Sequence, residues 1–486
     1  MTITTPDWVK DAVFYQIFPD RFARSEAVPK PCRLQPWDAP PTRHGFKGGD
    51  LIGVVEHLDY LQDLGVTAIY FNPIFQSAAN HRYHTFDYTQ VDPLLGGNSA
   101  LRTLLDEAHR RDMRIVLDGV FNHASRGFFQ FNHILENGPD SPYLDWFTIK
   151  RFPLNAYENN GTPNYEAWWN LPALPKFNTA NPAVREFLWD VAEHWVREGI
   201  DGWRLDVPEE IDDAEFWREF RRRVKRANPE AYIVGEIWHE AQRWLRGDQF
   251  DAVMNYPFTR ACLGFFGGEK LDRRSRPGGY ELRRLDAPAF AAEIDRQLHL
   301  YDWEVAQAQL NLLGSHDTSR FLTLIGGDKA RFKLAILFQM TFVGAPCIYY
   351  GDEIGLQGGP DPDCRRAMPW DERLWDRDLL DYVKRCTALR RTYRALQRGD
   401  HTRLYASHGV YAFGRRLGQE TLAVVLNNSA STFALKVPVA DYLADGAVLR
   451  DVWNGDETLA VRDGYLSGPT LPPRSGAVLV SGSVSG

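Results

Sequence analysis

The chain has 486 residues, enough for one large catalytic domain and a smaller companion, and its 44% hydrophobic and 25% charged residues are those of a globular protein. A formal charge of −8 excludes the basic field that nucleic acid or an anionic membrane surface would need. The five cysteines (Cys32, Cys262, Cys347, Cys364, Cys386) are odd in number and lack metal-ligand spacing, and no basic start followed by an apolar stretch opens the chain, so a reduced, cytoplasmic setting without a signal peptide is expected.

Apolar, β-branched or aromatic runs alternate with amphipathic stretches, the pattern of a parallel α/β fold. The first run is Ala12–Phe18. Beyond it Leu51, Val54, Val55, Leu58, Leu61 and Leu64 recur at three- and four-residue steps and stop before Gly65, which predicts one helix with a single face on the sheet. Strands follow at Ala68–Phe71, Arg114–Asp118, Gly202–Asp206, Tyr232–Glu236, Phe250–Val253, Gln309–Leu313 and Cys347–Tyr350. The most apolar stretch, Leu334–Tyr350, contains Gln339, Gly344 and Pro346 and reads as a helix running into the last strand, not as a bilayer span. Eight strands with helical crossovers favour a closed (β/α)8 TIM barrel over an open sheet. Residues Asn122 to about Phe177 are rich in aromatics and show no helical period, so an inserted subdomain is expected after the third strand. Past Leu396, alternating runs such as Val410-Tyr-Ala-Phe413 predict a C-terminal antiparallel β-sandwich. The expected division is a barrel from 1–121 and 178–395, an insertion at 122–177 and a sandwich at 396–486.

Four segments close apolar runs with carboxylates and imidazoles: Asp118-Gly-Val-Phe-Asn-His123, Gly202-Trp-Arg-Leu-Asp206, Glu236-Ile-Trp-His239 and Leu313-Gly-Ser-His-Asp317. In a parallel barrel such residues gather at the C-terminal ends of the strands. A lone carboxylate there is usually a cap or an ion-pair member. Three on one rim (Asp206, Glu236, Asp317) are different, because like charges are costly to bury together unless function requires it. A nucleophilic carboxylate and a protonated one on adjacent strand ends would suit glycoside cleavage with retention. Arg204 lies two residues before Asp206, on the same face of its strand, and its charge is expected to hold Asp206 ionised. His123, His239 and His316 lack the partner spacing of a metal site.

These motifs resemble glycoside hydrolase family 13, the α-amylase family, and within it the cyclomaltodextrinase, neopullulanase and maltogenic amylase group; the resemblance runs from Asp11 to about Trp370. Leu174-Pro-Lys-Phe-Asn178, Glu236-Ile-Trp-His239 and Asp361-Pro-Asp-Cys-Arg365 carry the likeness to the group. It implies Asp206 as nucleophile, Glu236 as acid/base and Asp317 as a third carboxylate that grips sugar hydroxyls. It further implies sugar contacts by His123, His316, Asp361, Arg365 and Trp238, with Arg204 beside the nucleophile and Tyr83 as a stacking platform. No cofactor is expected, with structural calcium at Asn122 as the alternative. The early loop Arg21 to Pro41 lacks the Asp/Asn-rich composition of a hard-cation site.

The barrel-opening segment, Val13 to Phe22, comes almost at once, so the group's usual N-terminal domain, with its dimer and its wall over the cleft, is not expected. Val207-Pro-Glu-Glu210 stands where the group commonly has Val-Ala-Asn-Glu, and position 84 is His where Asp is frequent. The implied activity is hydrolysis of α-1,4 bonds in cyclodextrins, maltooligosaccharides and pullulan. The rivals are an oligo-α-1,6-glucosidase or transglycosylase on the same scaffold and, from another class, a non-catalytic carbohydrate-binding protein. The expected partner is an α-glucan oligosaccharide, neither nucleic acid nor membrane, and the oligomeric state stays open. Trp168 and Trp169 suit either a glucan groove or the core of the insertion.

Overall fold

The computed structural model describes residues 3–158 and 161–481. Eight parallel strands form the central sheet: β1 (Phe14–Ile17), β2 (Ala68–Phe71), β3 (Arg114–Gly119), β4 (Gly202–Leu205), β5 (Tyr232–Gly235), β6 (Ala252–Val253), β7 (Leu310–Leu312) and β8 (Ala345–Tyr349). Their order is β6-β5-β4-β3-β2-β1-β8-β7, and a parallel bridge between Met254 and Leu310 closes the ring between β6 and β7. The expected TIM barrel is therefore present, each strand within two residues of its predicted ends.

Two-residue steps up each strand explain both the core and the site. At the lower end of the lumen Phe14, Ala68, Val116, Tyr232, Ala252, Leu310 and Ala345 pack together. One step higher on the same inward faces come Gln16, Tyr70, Asp118, Arg204 and Met254, and one step beyond those Asn72, Asp206 and Glu236. The lumen thus grades from apolar to charged toward the C-terminal ends. Outward-facing Tyr15, Ile69, Leu117, Trp203, Leu205 and Ile233 join the larger core shared with the helices. Gly202 is required at its step, because a Cβ there would lie 2.3 Å from the carbonyl oxygen of Tyr232 on the next strand.

Two sequence expectations are corrected. The Leu51–Leu64 run is two short helices, Leu51–Val55 and Leu58–Asp63, broken at Glu56 and His57; its periodic leucines and Val54 are still buried, because the break preserves the face. The insertion does contain a helix, Phe129–Asn137, whose sparse buried face of Phe131 and Ile134 leaves little period in the sequence. The rest of the insertion is held by isolated antiparallel bridges, among them His123 with Lys176 and Phe147 with Phe177. The Leu334–Tyr350 stretch is, as expected, the end of a buried helix (Lys329–Thr341) feeding β8.

Eight antiparallel strands follow: β9 (Thr402–Ser407), β10 (Val410–Leu417), β11 (Glu420–Asn427), β12 (Phe433–Pro438), β13 (Val448–Asp451), β14 (Thr458–Arg462), β15 (Tyr465–Leu471) and β16 (Ser475–Ser481). Their order is β9-β10-β11-β16-β13-β14-β15-β12. One face encloses a separate core of Ala412, Val425, Val437, Leu449, Val461 and Leu479. The alternate residues Tyr411, Phe413, Val424, Leu426 and Val478 join the core of the barrel helices. At this seam two guanidiniums are wholly buried: Arg390 donates to the carbonyls of Lys10, Met340, Phe342, Gly344 and Leu396, and Arg415 to those of Thr341, Leu396, Gly399 and Asp400.

Candidate active site

Arg204 is the hub of the cluster at the top of the lumen. Its Nη1 donates to both oxygens of Asp118 (2.9 and 3.0 Å) and to Asp206 Oδ1 (3.1 Å), and its Nη2 lies 2.8 Å from Glu236 Oε1. Register explains the first contact, since Asp118 and Arg204 are direct partners across β3 and β4. Asp206 and Glu236 follow the ends of adjacent strands, where their own N–H groups continue the ladder to Gly119 and Leu205.

Glu236 also accepts from the backbone N–H of Val207 (3.2 Å) and from Trp238 Nε1 (3.3 Å). Trp238 is fixed by stacking on Tyr256, with centroids 3.6 Å apart and planes 7° apart. Val207 has φ 35° and ψ 51°, a left-handed conformation that β-branched residues rarely adopt, directly after Asp206.

A chain of hydrogen bonds joins β1, the loop after β7, the loop after β2 and β3. Gln16 Nε2 donates to His316 Nδ1 (3.0 Å), which leaves the proton of this neutral ring on Nε2, 2.7 Å from the Tyr83 hydroxyl; that hydroxyl donates to Asp118 Oδ2 (2.8 Å). Burial and the nearby Arg365 and Arg204 keep the His316 pKa well below its ordinary value. Tyr83 lies parallel to His316, 5.5 Å away and 6° from coplanar. Asp317 accepts from Arg365 Nη2 (3.2 Å), whose Nη1 lies 3.0 Å from Asp361 and whose Nε donates to the His316 carbonyl (2.8 Å). His123 is buried, stacks on Trp168 of the insertion (5.2 Å, 17°), and has its Nε2 without a partner; burial pushes its pKa to about 3.

The structure thus brings together Asp206, Glu236, Arg204 and Trp238 around one guanidinium, and His316, Asp317, Arg365 and Asp361 in a second group joined to the first through Tyr83 and Asp118. His123 stands on the insertion side. His239 turns away to Glu209, 2.6 Å from its Nε2.

Arg204 favours the ionised form of Asp206, as expected, but burial opposes it. Burial, with help from Glu236, Asp118 and Asp317, outweighs the guanidinium and pushes the Asp206 carboxyl well above the usual range. Burial, with Asp317 and Asp118, raises Glu236 to about 7 against the pull of Arg204. Asp118 is raised by burial as well, although Arg204, Tyr83 and Tyr70 all hydrogen-bond to it.

Asp118, Tyr70, Gln16 and Asn72 have no assigned role in the sequence reading, yet they tie the two groups together. Part of the signal was available: Gln16, Tyr70 and Asp118 stand one inward step above the apolar or small Phe14, Ala68 and Val116, and Asn72 one step above Tyr70. At the calcium alternative, Asn122 Oδ1 is buried without a hydrogen-bond partner and its Nδ2 lies 3.3 Å from His123 Nδ1, and among the described residues no group of three or more His, Cys, Asp or Glu gathers.

Known proteins resemble the chain along most of its length. The model of the α-amylase catalytic domain matches residues 16–377, and that of the neopullulanase-like C-terminal domain matches residues 401–479. A cyclomaltodextrinase of Geobacillus thermopakistaniensis is 48% identical over 440 residues, 89% of this chain and 71% of that protein. Neopullulanase 2 of Thermoactinomyces vulgaris is 47% identical over 487 residues, 99% of this chain and 79% of that one. The solved debranching enzyme of Nostoc punctiforme superposes with a TM-score of 0.88 at 48% identity, over 98% of this chain and 100% of that one. The chain belongs to the α-amylase family of glycoside hydrolases.

Proposed function

We propose that the protein is a retaining hydrolase of α-1,4-linked glucans acting on cyclodextrins, maltooligosaccharides and pullulan, with Asp206 as nucleophile and Glu236 as acid/base. The observation that carries this reading is the seating of both carboxylates on adjacent nitrogens of Arg204. Such close spacing suits retention, which needs about 5–5.5 Å between the two groups, whereas inversion needs about 6.5–9.5 Å. A buried pair with both pKa values raised resists losing both protons, so near neutrality it keeps one. In the productive state that proton is on Glu236, ready for the leaving oxygen, while Asp206 attacks the anomeric carbon from its place on Arg204. Asp317, held by Arg365, grips sugar hydroxyls together with His316, His123 and Asp361, while Tyr83 supports the ring at the cleavage site.

The insertion is the wall of the cleft in this reading. Trp168 backs His123, and Lys176 reaches across to Glu210 (3.1 Å), in the turn after Asp206. The wall is then built within one chain, and small cyclic or short linear substrates win over starch. Cytoplasmic operation fits the five unpaired cysteines, and among the described residues no helix is long and apolar enough to cross a membrane.

The test is product analysis on β-cyclodextrin, pullulan, panose and soluble starch, with the anomer of fresh product read by NMR and light scattering across a dilution series. The α-anomer and a higher kcat/KM for β-cyclodextrin than for starch are expected. A β-anomer in the first turnovers would overturn retention. Faster action on starch would overturn the narrow cleft, and selectivity that vanishes on dissociation would move the wall to a neighbouring subunit. A second reading, α-1,6 cleavage, is favoured by the likeness to a debranching enzyme along that enzyme's full length. Release of maltose from panose, the product of α-1,6 cleavage, faster than cleavage of maltotriose would establish it.

A further inference from the structure

Four large hydrophobic side chains stand exposed on the insertion: Phe129, Tyr157, Trp169 and Leu171; Trp169 is the most exposed, at 75%. A tryptophan left in water forgoes a large apolar burial, so its placement calls for a reason. The indole is not loose. It lies flat on Trp168, with centroids 4.5 Å apart and planes 11° apart, and Trp168 lies flat on His123 in turn. Three nearly parallel rings therefore run from the cleft to solvent, and the outermost presents an uncovered face.

The backbone is shaped to keep it there. Trp169 and Asn170 have φ of 50° and 55°, two successive left-handed residues that are not glycine. Deeper in the stack, Trp168 Nε1 and His123 Nε2 are both buried without a hydrogen-bond partner, as expected of a polar site built to meet a ligand.

We propose that Trp169 is the floor of an outer sugar subsite, on which a glucan chain bound across the cleft lays a pyranose ring as it leaves the protein. This inference rests on the α-glucan reading above and names where that substrate is held beyond the reacting sugars. A ring-on-ring contact suits a neutral sugar, whose hydroxyls stay in water while its C–H face covers the indole.

The experiment measures binding without turnover. In an Asp206→Asn background, maltotriose and maltohexaose are titrated calorimetrically against Trp169, Trp169→Ala and Trp169→Tyr, with melting temperature and light scattering recorded for each. Trp169→Ala should weaken maltohexaose about three- to tenfold, about 0.65–1.4 kcal/mol, leave maltotriose and the melting temperature unchanged, and be largely rescued by Tyr. In the active enzyme the same change should raise KM for maltohexaose without lowering kcat. Equal weakening of both sugars, no weakening of either, or an oligomer that falls to monomer in Trp169→Ala would overturn the subsite. A parent that binds maltohexaose through Trp169 yet hydrolyses no α-glucan would overturn the activity and leave the subsite standing.

Discussion

Arg204 in the cleft and Arg415 at the seam between barrel and sandwich are both fully buried, but the protein surrounds them in opposite ways. Arg204 faces the carboxylates Asp118, Asp206 and Glu236, while every hydrogen bond of Arg415 goes to a backbone carbonyl. Burial pulls Arg415 down to about 9 and Arg390 beside it to about 10, whereas the anions around Arg204 hold its pKa well above the usual value. Carbonyls do not titrate, so the seam fixes one geometry. Carboxylates do, so the cleft holds a charge distribution that a reaction can change. The same cost of burying charge is spent on shape in one place and on chemistry in the other.

Breaking the cleft should affect rate far more than stability. Asp206→Asn and Glu236→Gln should each lower kcat by at least about 10³-fold, because each swap keeps shape but removes the nucleophile or the transferable proton. Circular dichroism and kcat on β-cyclodextrin check this, and substantial residual turnover in Asp206→Asn would refute the assignment.

Breaking the seam should do the reverse. Arg415→Met takes the guanidinium donor from the Thr341, Gly399 and Asp400 carbonyls, while Leu396 keeps Arg390, and should cost about 3 kcal/mol or more, seen as a lower urea midpoint, with kcat per folded molecule unchanged. Equal losses of stability and of kcat would show that the two regions are not independent.

Glu236→Gln sharpens the contrast. The Glu236 pKa is raised from 4.5 to about 7 in the folded protein, so the stability it contributes is complete below about pH 4.5 and is lost as pH climbs through 7. The variant should therefore be more stable than the parent at pH 8, by up to about 3 kcal/mol, and no more stable at pH 4.5. Unfolding curves at the two pH values decide it.

The pH dependence of kcat/KM is the gentlest probe. Activity needs one proton on the Asp206–Glu236 pair, so the profile should be bell-shaped with its alkaline limb near pH 7, where Glu236 loses its proton. A rate that rises steadily into alkaline solution would exclude this acid.

Much of the site was legible before folding was considered. Asp206 and Glu236 end predicted strands and Asp317 follows one, and a parallel barrel collects strand ends on one rim whatever the details of packing. Asp118 was visible in its motif but had no role, because nothing local says that it sits opposite Arg204. The helix Phe129–Asn137 was missed since only two of its residues are buried, too few to print a period. Trp168 and Trp169 were left between core and groove because adjacent tryptophans look alike in sequence, and only the structure separates the half-buried ring from the exposed one.

The sequence by itself determined the alternation of strands and helices, the barrel, the sandwich and the chemical identity of the residues at the strand ends, because these follow from local periodicity and from two-residue steps along a strand. Tertiary structure alone decided the electrostatics. Whether Asp206 is held ionised depends on how many carboxylates share one guanidinium and on how much water reaches them, and those are sums over residues as far apart in the chain as Asp118 and Asp317.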